Sequence, residues 1–477
     1  MQGKTFSFHR YIQTMDLVIY NGTILTMTQK SAKAVSVDNG RIRRLEKVQA
    51  AKEIDLEGKT LIPGFIDCHT HFMGMGLSLS KVDLSKAKSV QEAVNLLEEK
   101  ASKTEKGQWV RGFNWDESFW PEKRWLTPED CAGIEHPVCA VRVDGHMAVL
   151  NEAAQKELGV KKGYLYEDEV FQMHSDISEQ DVEKAFVASV QLAHQHGVTS
   201  VHDNPMDVQS FCVYQKMNQT QLRIYVNLPV SVVDAVNQIQ LRTGFGNEWV
   251  KFGGIKIFTD GSIGAKTAAM SFNFKNEKNN GLLVYTDAEL KEILRKAHPN
   301  QTVIHAIGDR AIQQVLNCSV PGERNRIEHA ELVRDDQIPH IKSLGLILSM
   351  QPNFLQWSYP DGLYDHRFGT GMDNRFSTLK KAGIPIVFGS DGMPFSPLYG
   401  IEQVVNAPFE EQKLSVMDAL LMYTKNGAYA SFEEDIKGTI EKGKLADFVV
   451  LSGDPREEDI SSIKVDMTIV GGKVVYG

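Results

Sequence analysis

The stretch Gly64-Phe65-Ile66-Asp67-Cys68-His69-Thr70-His71 sets two imidazoles two residues apart at the end of an apolar run that begins at Leu61. Side chains of a strand alternate faces, so His69 and His71 project to one side with Asp67, and Cys68 to the other. Two imidazoles so spaced can grip a single metal ion from one direction, which leaves the cysteine to pack. A polar strand end holding no ion would look the same, so other ligand types in the chain must decide. Lys256 lies in Gly253-Gly-Ile-Lys-Ile-Phe-Thr-Asp, His305 closes Thr302-Val-Ile-His, His329 follows Arg326-Ile-Glu, and Asp391 follows Ile386-Val-Phe-Gly-Ser. Each stands in or close after a strand candidate. One such residue is ordinary, but the set is hard to produce by chance in a fold that aims these ends at one point.

A parallel barrel does that, because all its strand ends open on one mouth. Eight strand candidates alternate with helical stretches: Leu61–Asp67, Val198–His202, Leu222–Leu228, Val250–Phe258, Thr302–His305, Arg326–Glu328, Leu346–Met350 and Pro385–Gly389. The pattern predicts an α/β chain with a TIM (β/α)8 barrel over residues 61–437. The first two strands are too far apart for one helix. Residues 83–180, with a helical Ser89–Lys103, an aromatic run Trp109–Trp125 and a strand-like His136–Val143, read as an insertion above the barrel mouth that covers the pocket. Residues 15–60 and 438–477 alternate like β-meanders, with Asn21-Gly22 and Asn39-Gly40 as turn signals. They are expected to form one small β-sandwich built from both termini, or else two unrelated edge hairpins.

Composition narrows the partners. The acidic excess, 61 Asp and Glu against 52 Lys and Arg for a formal charge of −9, argues against a nucleic-acid or anionic-membrane surface and for a small-molecule substrate. Five cysteines without CxxC spacing suggest neither a disulfide framework nor a zinc finger, and reduced thiols fit a cytoplasmic protein. No run is long enough for a membrane span. A homo-oligomer is compatible with all of this. Met1–Thr14, ahead of the first clean strand pattern, reads as a dispensable extension.

With these motifs the chain resembles the amidohydrolase superfamily of metal-dependent hydrolases, over Met15 to Gly477. Ile255-Lys-Ile-Phe-Thr-Asp-Gly-Ser, Ile304-His-Ala-Ile-Gly-Asp-Arg-Ala, Arg326-Ile-Glu-His-Ala and Asp144-Gly-His-Met-Ala-Val-Leu-Asn look like the branch that includes N-substituted formamide deformylase. The resemblance implies a distorted barrel, a terminal β-sandwich and a centre of one or two divalent ions, usually zinc. It implies that His69, His71 and Asp391 hold the more buried ion and His305 and His329 the second. Lys256 would bridge them after reacting with carbon dioxide to give a carbamate, since an ammonium cannot ligate a cation. The alternative is an ordinary lysine beside a one-metal site.

Ions held by imidazoles and carboxylates lower the pKa of water to about 7 and polarise a carbonyl. Asp391 is the candidate base that takes the proton and then, as acid, passes it to a leaving nitrogen. The expected reaction is hydrolysis of a C–N bond in an amide, formamide or cyclic amide. A single-metal deaminase is the nearest alternative, and a non-catalytic scaffold barrel the alternative of another class, though a scaffold has no need of the full ligand set. Candidate substrate contacts are His146, which could equally be structural, and an apolar wall of Phe113, Trp115 and Trp120, which could equally be core. Asp260, close behind Lys256, could orient a substrate amine or a bound water.

Overall fold

The structure, a computed structural model, describes residues 14–79, 82–167, 169–170, 179–217, 221–322 and 324–477. Residues 1–13 of the expected extension and 171–178 of the expected insertion lie outside the described residues. Eight parallel strands form the central sheet in sequential order. They are β1 (Phe65–Thr70), β2 (Val198–Asp203), β3 (Arg223–Pro229), β4 (Val250–Phe258), β5 (Gln301–Ala306), β6 (Arg326–His329), β7 (Ile347–Met350) and β8 (Ile386–Phe388). Seven ladders join neighbours, from β1–β2 to β7–β8. Strands buried on both faces read as near-continuous Val, Ile and Leu runs, which is why most of these were visible in the sequence.

The ring closes through close approach at the mouth. The Asp391 N–H donates to the His69 carbonyl at 2.8 Å and the Ser390 N–H to Asp67 Oδ1 at 2.9 Å. Gly389 permits this contact, since a Cβ there would lie 2.4 Å from the His69 nitrogen. Asp67, expected beside the histidines, thus fastens the end of β1 to the segment that carries Asp391.

One expected boundary moves. The run from Leu61 to Asp67 is two strands, because Gly64 divides it and donates its N–H to the Asp447 carbonyl. Thr60–Pro63 pairs with Thr23–Ile24 and Phe448–Leu451, in a five-stranded sheet completed by Val465–Val470 and Lys473–Tyr476. The barrel therefore starts at Phe65. A second sheet of four strands holds Met15–Tyr20, Ala34–Asp38, Arg41–Arg44 and Ala50–Asp55. Its Ala34–Arg44 hairpin turns through Asn39 (φ 51°) and Gly40 (φ 70°), the paired positive φ that Asn-Gly accommodates. Leu17, Ile19, Val35 and Val37 from this sheet meet Leu61, Phe448, Val450 and Ile469 from the other in one apolar cluster. A buried Arg223–Asp447 pair, at 2.6 and 2.9 Å, joins β3 to the five-stranded sheet.

The segment after β1 folds on a five-stranded sheet in the order Tyr164–Tyr166, Met147–Leu150, Val138–Arg142, Val110–Trp115, Val82–Asp83. A helix at Val90–Ser102, capped by the Ser89 side chain on the Glu92 N–H, covers it. Among the described residues no helix is long and apolar enough to cross a membrane.

Candidate metal centre

β1, β4, β5 and β6 and the turn after β8 bring the six sequence candidates to one mouth. His69 lies in β1 and His71 directly after it, Lys256 two residues before the end of β4, His305 in β5, His329 at the end of β6 and Asp391 three residues beyond β8. The rings of His69, His329 and His305 follow one another at centroid separations of 4.7 and 4.5 Å, and His71 stands 5.7 Å from His69. Asp391 Oδ1 is 3.6 Å from His69 Nε2 and 3.4 Å from His71 Nε2. Lys256 Nζ is 3.5 Å from His69 Nε2. Ligand atoms of His69, His329 and Asp391 all lie within 4.8 Å of one another. His329 and Asp391 have positive φ, 68° and 54°, a conformation that non-glycine residues hold where surrounding structure enforces it.

Each imidazole has one nitrogen tied down, which leaves the other for the centre. His69 Nδ1 faces Glu328 Oε2 in a short contact; His71 Nδ1 is 2.9 Å from the Asn204 carbonyl; His329 Nδ1 is 2.8 Å from Gln351 Oε1; His305 Nε2 is 3.1 Å from the Gly261 carbonyl. Such partners fix the tautomer and orientation of a metal-binding imidazole. Burial, then the neighbouring Lys256 charge, lowers His71 to about 3, and burial holds His69, His305 and His329 well below the usual histidine range. All four are neutral donors. Burial raises Asp391 to about 7, and its buried Oδ1 takes no hydrogen bond among the described residues. Neutral imidazoles with free lone pairs around an orphaned carboxylate oxygen fit a divalent ion.

Sequence reasoning did not find the support behind His69. Arg326 and Glu328, two apart on β6, both point into the barrel and pair at 2.8 and 2.9 Å. Arg326 also donates to the Cys68 carbonyl and Ser349 Oγ and contacts His202 Nδ1 at 3.0 Å, so His202 belongs to this network. Two charged residues of the same parity on a four-residue buried strand were the available signal. Arg326→Met leaves the Glu328 carboxylate buried without its cation and is expected to cost about 3–5 kcal/mol of stability. Urea unfolding checks this; a loss below about 1 kcal/mol, the level of an exposed pair, would show that the network is dispensable. Cys68 faces away, packed with Ile66, Ile347 and Val387.

The remaining candidates divide. His146 lines the cavity over the centre, with its ring 5.3 Å from that of His305. Burial opposes its charge, but Glu167, 2.6 Å from Nδ1, and then Asp144 raise it to about 9. Trp115 is not a pocket residue: it is fully buried in the inserted sheet's own core, stacks on Trp120 and donates to the Ala140 carbonyl at 3.0 Å. Strand alternation would put it beside Phe113, but Asn114 adopts φ 65° and the register shifts, so Trp115 turns inward and Phe113 alone lines the cavity. Asp260 does not reach the cavity either. It accepts the N–H groups of Ala269, Ile307 and Gly308 at 2.8–3.0 Å and lies 3.5 Å from His305 Nε2, so it clamps the loops after β4 and β5.

Above the centre the space divides into two lobes that share Arg142, Asp144, His146, His305, His329, Asp391 and Met393. The wider lobe, about 1160 Å³ including its opening, is walled by Met73, Met75, Leu77, Phe113, Met206 and Phe258. The narrower lobe, about 360 Å³ including its opening, is walled by Ile263, Ile307, Phe354, Trp357, Leu363 and Tyr364 and contains Glu331.

The sequence and the fold have known relatives. The amidohydrolase family profile matches residues 52–476. The chain is 27% identical to YtcJ of Bacillus subtilis (strain 168), over 97% of this chain and 99% of that protein. It is 25% identical to N-substituted formamide deformylase of Arthrobacter pascens, again over 97% and 99% of the two chains. A crystal structure of an uncharacterized metal-dependent hydrolase from Pyrococcus horikoshii OT3 superimposes with a TM-score of 0.76 at 27% identity, over 94% of this chain and 99% of that one. With the profile spanning the whole barrel and the C-terminal strands, the chain belongs to the amidohydrolase family of hydrolases.

Proposed function

We propose that the protein hydrolyses the C–N bond of an amide or formamide at a centre of divalent ions, most simply zinc, held by His69, His71, His305, His329 and Asp391. The observation that carries this reading is the unpartnered Asp391 Oδ1 among four imidazoles whose second nitrogens are all occupied. When bound, such ions polarise a carbonyl oxygen and lower the pKa of water to about 7. Asp391, whose Oδ1 faces two imidazole nitrogens and takes no hydrogen bond among the described residues, is placed to accept a proton from the attacking water and return it to the leaving nitrogen. His146, held as a cation by Glu167 across from His305, can donate to the oxygen on which charge develops. The two lobes suit a substrate with substituents on both sides of the scissile bond. The likeness to a formamide deformylase supports an N-substituted amide.

A single-ion centre is the second reading, favoured by the compact His69, His329 and Asp391 set. One experiment separates the two. Zinc-loaded protein is assayed on N-formyl and N-acyl amines with amine release as the readout, and its metal content is measured in parallel. Turnover with about two equivalents supports the proposal, and one equivalent supports the single-ion centre. Chelation is expected to abolish turnover and added zinc to restore it. No turnover of any amide by the fully loaded protein would refute the assignment.

A further inference from the structure

The narrower lobe contains a carboxyl that the chemistry above does not use. Glu331 follows His329 by two residues and is 2% exposed. Its backbone is fixed by the Asn374 N–H on its carbonyl, and Oε2 accepts the Tyr364 hydroxyl at 2.5 Å. Among the described residues that hydroxyl is the one hydrogen-bond donor to the carboxyl, and no lysine or arginine forms an ion pair with it. Of the other acids lining or backing this lobe, Glu117 pairs with Arg142 and Arg367 and Asp144 with Arg142 and Ser262, while Asp391 belongs to the metal centre. Arg142 is therefore occupied and cannot serve Glu331. Trp357 lies tilted against Phe354 and Tyr364, with centroids 5.0 and 6.1 Å away, so three aromatic rings wall the space that this carboxyl shares.

Buried carboxyls are normally paired, and aromatic walls favour cations over their faces. We infer that the narrower lobe is a subsite for a cationic nitrogen, and that the substrate is an amide whose smaller substituent carries a primary ammonium held by Glu331 against Phe354, Trp357 and Tyr364. The acid occupies the position where a protein cation is missing, and the substrate supplies it. The narrower lobe is the tighter of the two, so the smaller, ammonium-bearing substituent is assigned to it and a bulkier chain to the wider, methionine-lined lobe.

This inference rests on the hydrolytic reading only for its kinetic arm, so binding is measured first. Calorimetry compares benzylammonium with its uncharged counterpart, benzyl alcohol, on the zinc-loaded protein. The cation is expected to bind more tightly, and Glu331→Gln, which keeps the size of the side chain and an acceptor for Tyr364, to reduce that preference by about 30-fold, the scale of a charge-assisted hydrogen bond. In the kinetic arm, the kcat/KM ratio between an ammonium-bearing amide and its methyl-terminated isostere is expected to fall by a similar factor in the variant. Equal binding of the two probes by the native protein, or an unchanged preference in a folded Glu331→Gln protein, overturns the subsite. If cation binding depends on Glu331 but no amide is cleaved, the subsite stands and the hydrolytic assignment fails.

Discussion

Asp391→Asn is expected to lower kcat/KM on any amide the protein cleaves by about a thousandfold, within the range ascribed to positioned proton transfer. Asparagine is the informative replacement because position 391 has a φ of 54°, a region that Asn tolerates and alanine does not. The Asp391 N–H to the His69 carbonyl, which helps close the barrel, involves backbone atoms and survives the change. What is lost is the anionic oxygen that lies 3.4–3.6 Å from two imidazole nitrogens and takes no hydrogen bond. Steady-state kinetics and metal content are measured together. A folded variant with its metal and a rate within tenfold of the parent would remove Asp391 from proton transfer and leave it, at most, a ligand.

How much of this was legible in the sequence follows from what each residue depends on. Most of the barrel strands were readable because a strand buried on both faces is largely apolar, and His69 and His305 each interrupt such a run, whereas β6 reads Arg-Ile-Glu-His. Gly64 was not readable as a divider. Its role depends on Thr199 of β2, whose side chain would lie 2.1 Å from a Cβ at that position, and on the Asp447 carbonyl far along the chain. Trp115 was misplaced because alternation assumes an unbroken pleat, and the left-handed Asn114 reverses the side on which the indole emerges. Asp260 sat in the right part of the mouth but faces three backbone donors, two of them on another loop. Glu328 was adjacent to a named ligand and still overlooked, because its partner His69 is 259 residues away in sequence and only the ring of strands makes them neighbours. Local periodicity thus located the ligands, while their supports depend on contacts between strands.

Lys256 carries the other large effect. Its side chain is 2% exposed, and its Nζ lies over the Phe258 ring at 4.7 Å and near His69 Nε2, with no ion pair among the described residues. An unpaired ammonium in such a place is costly, and burial lowers it to about 8, so a neutral amine is accessible in mildly alkaline solution. A neutral amine can take up carbon dioxide, and the resulting carbamate is an anion with two oxygens. A two-ion centre would need one: four neutral imidazoles and a single carboxylate would leave two divalent ions poorly neutralised, and a further anion supplied by Lys256 would lower their mutual repulsion. Lys256→Ala is therefore expected to reduce bound zinc from about two equivalents to one or fewer and turnover by at least about a hundredfold, as loss of a bridged two-ion site implies. Short carboxylic acids such as propionate should restore part of both, whereas Lys256→Arg, which cannot form the carbamate, should gain nothing from them. Reconstitution with carbon-13 bicarbonate should give the native protein a carbamate carbon resonance that is missing from the alanine variant. The sign with pH follows from the amine: below about 8 the lysine is mostly protonated, so reconstitution at pH 6 should load less zinc than at pH 8.5. A Lys256→Ala protein that kept two ions and its full rate would show that Lys256 is a bystander, and the centre would then be built by His69, His329 and Asp391 around a single ion.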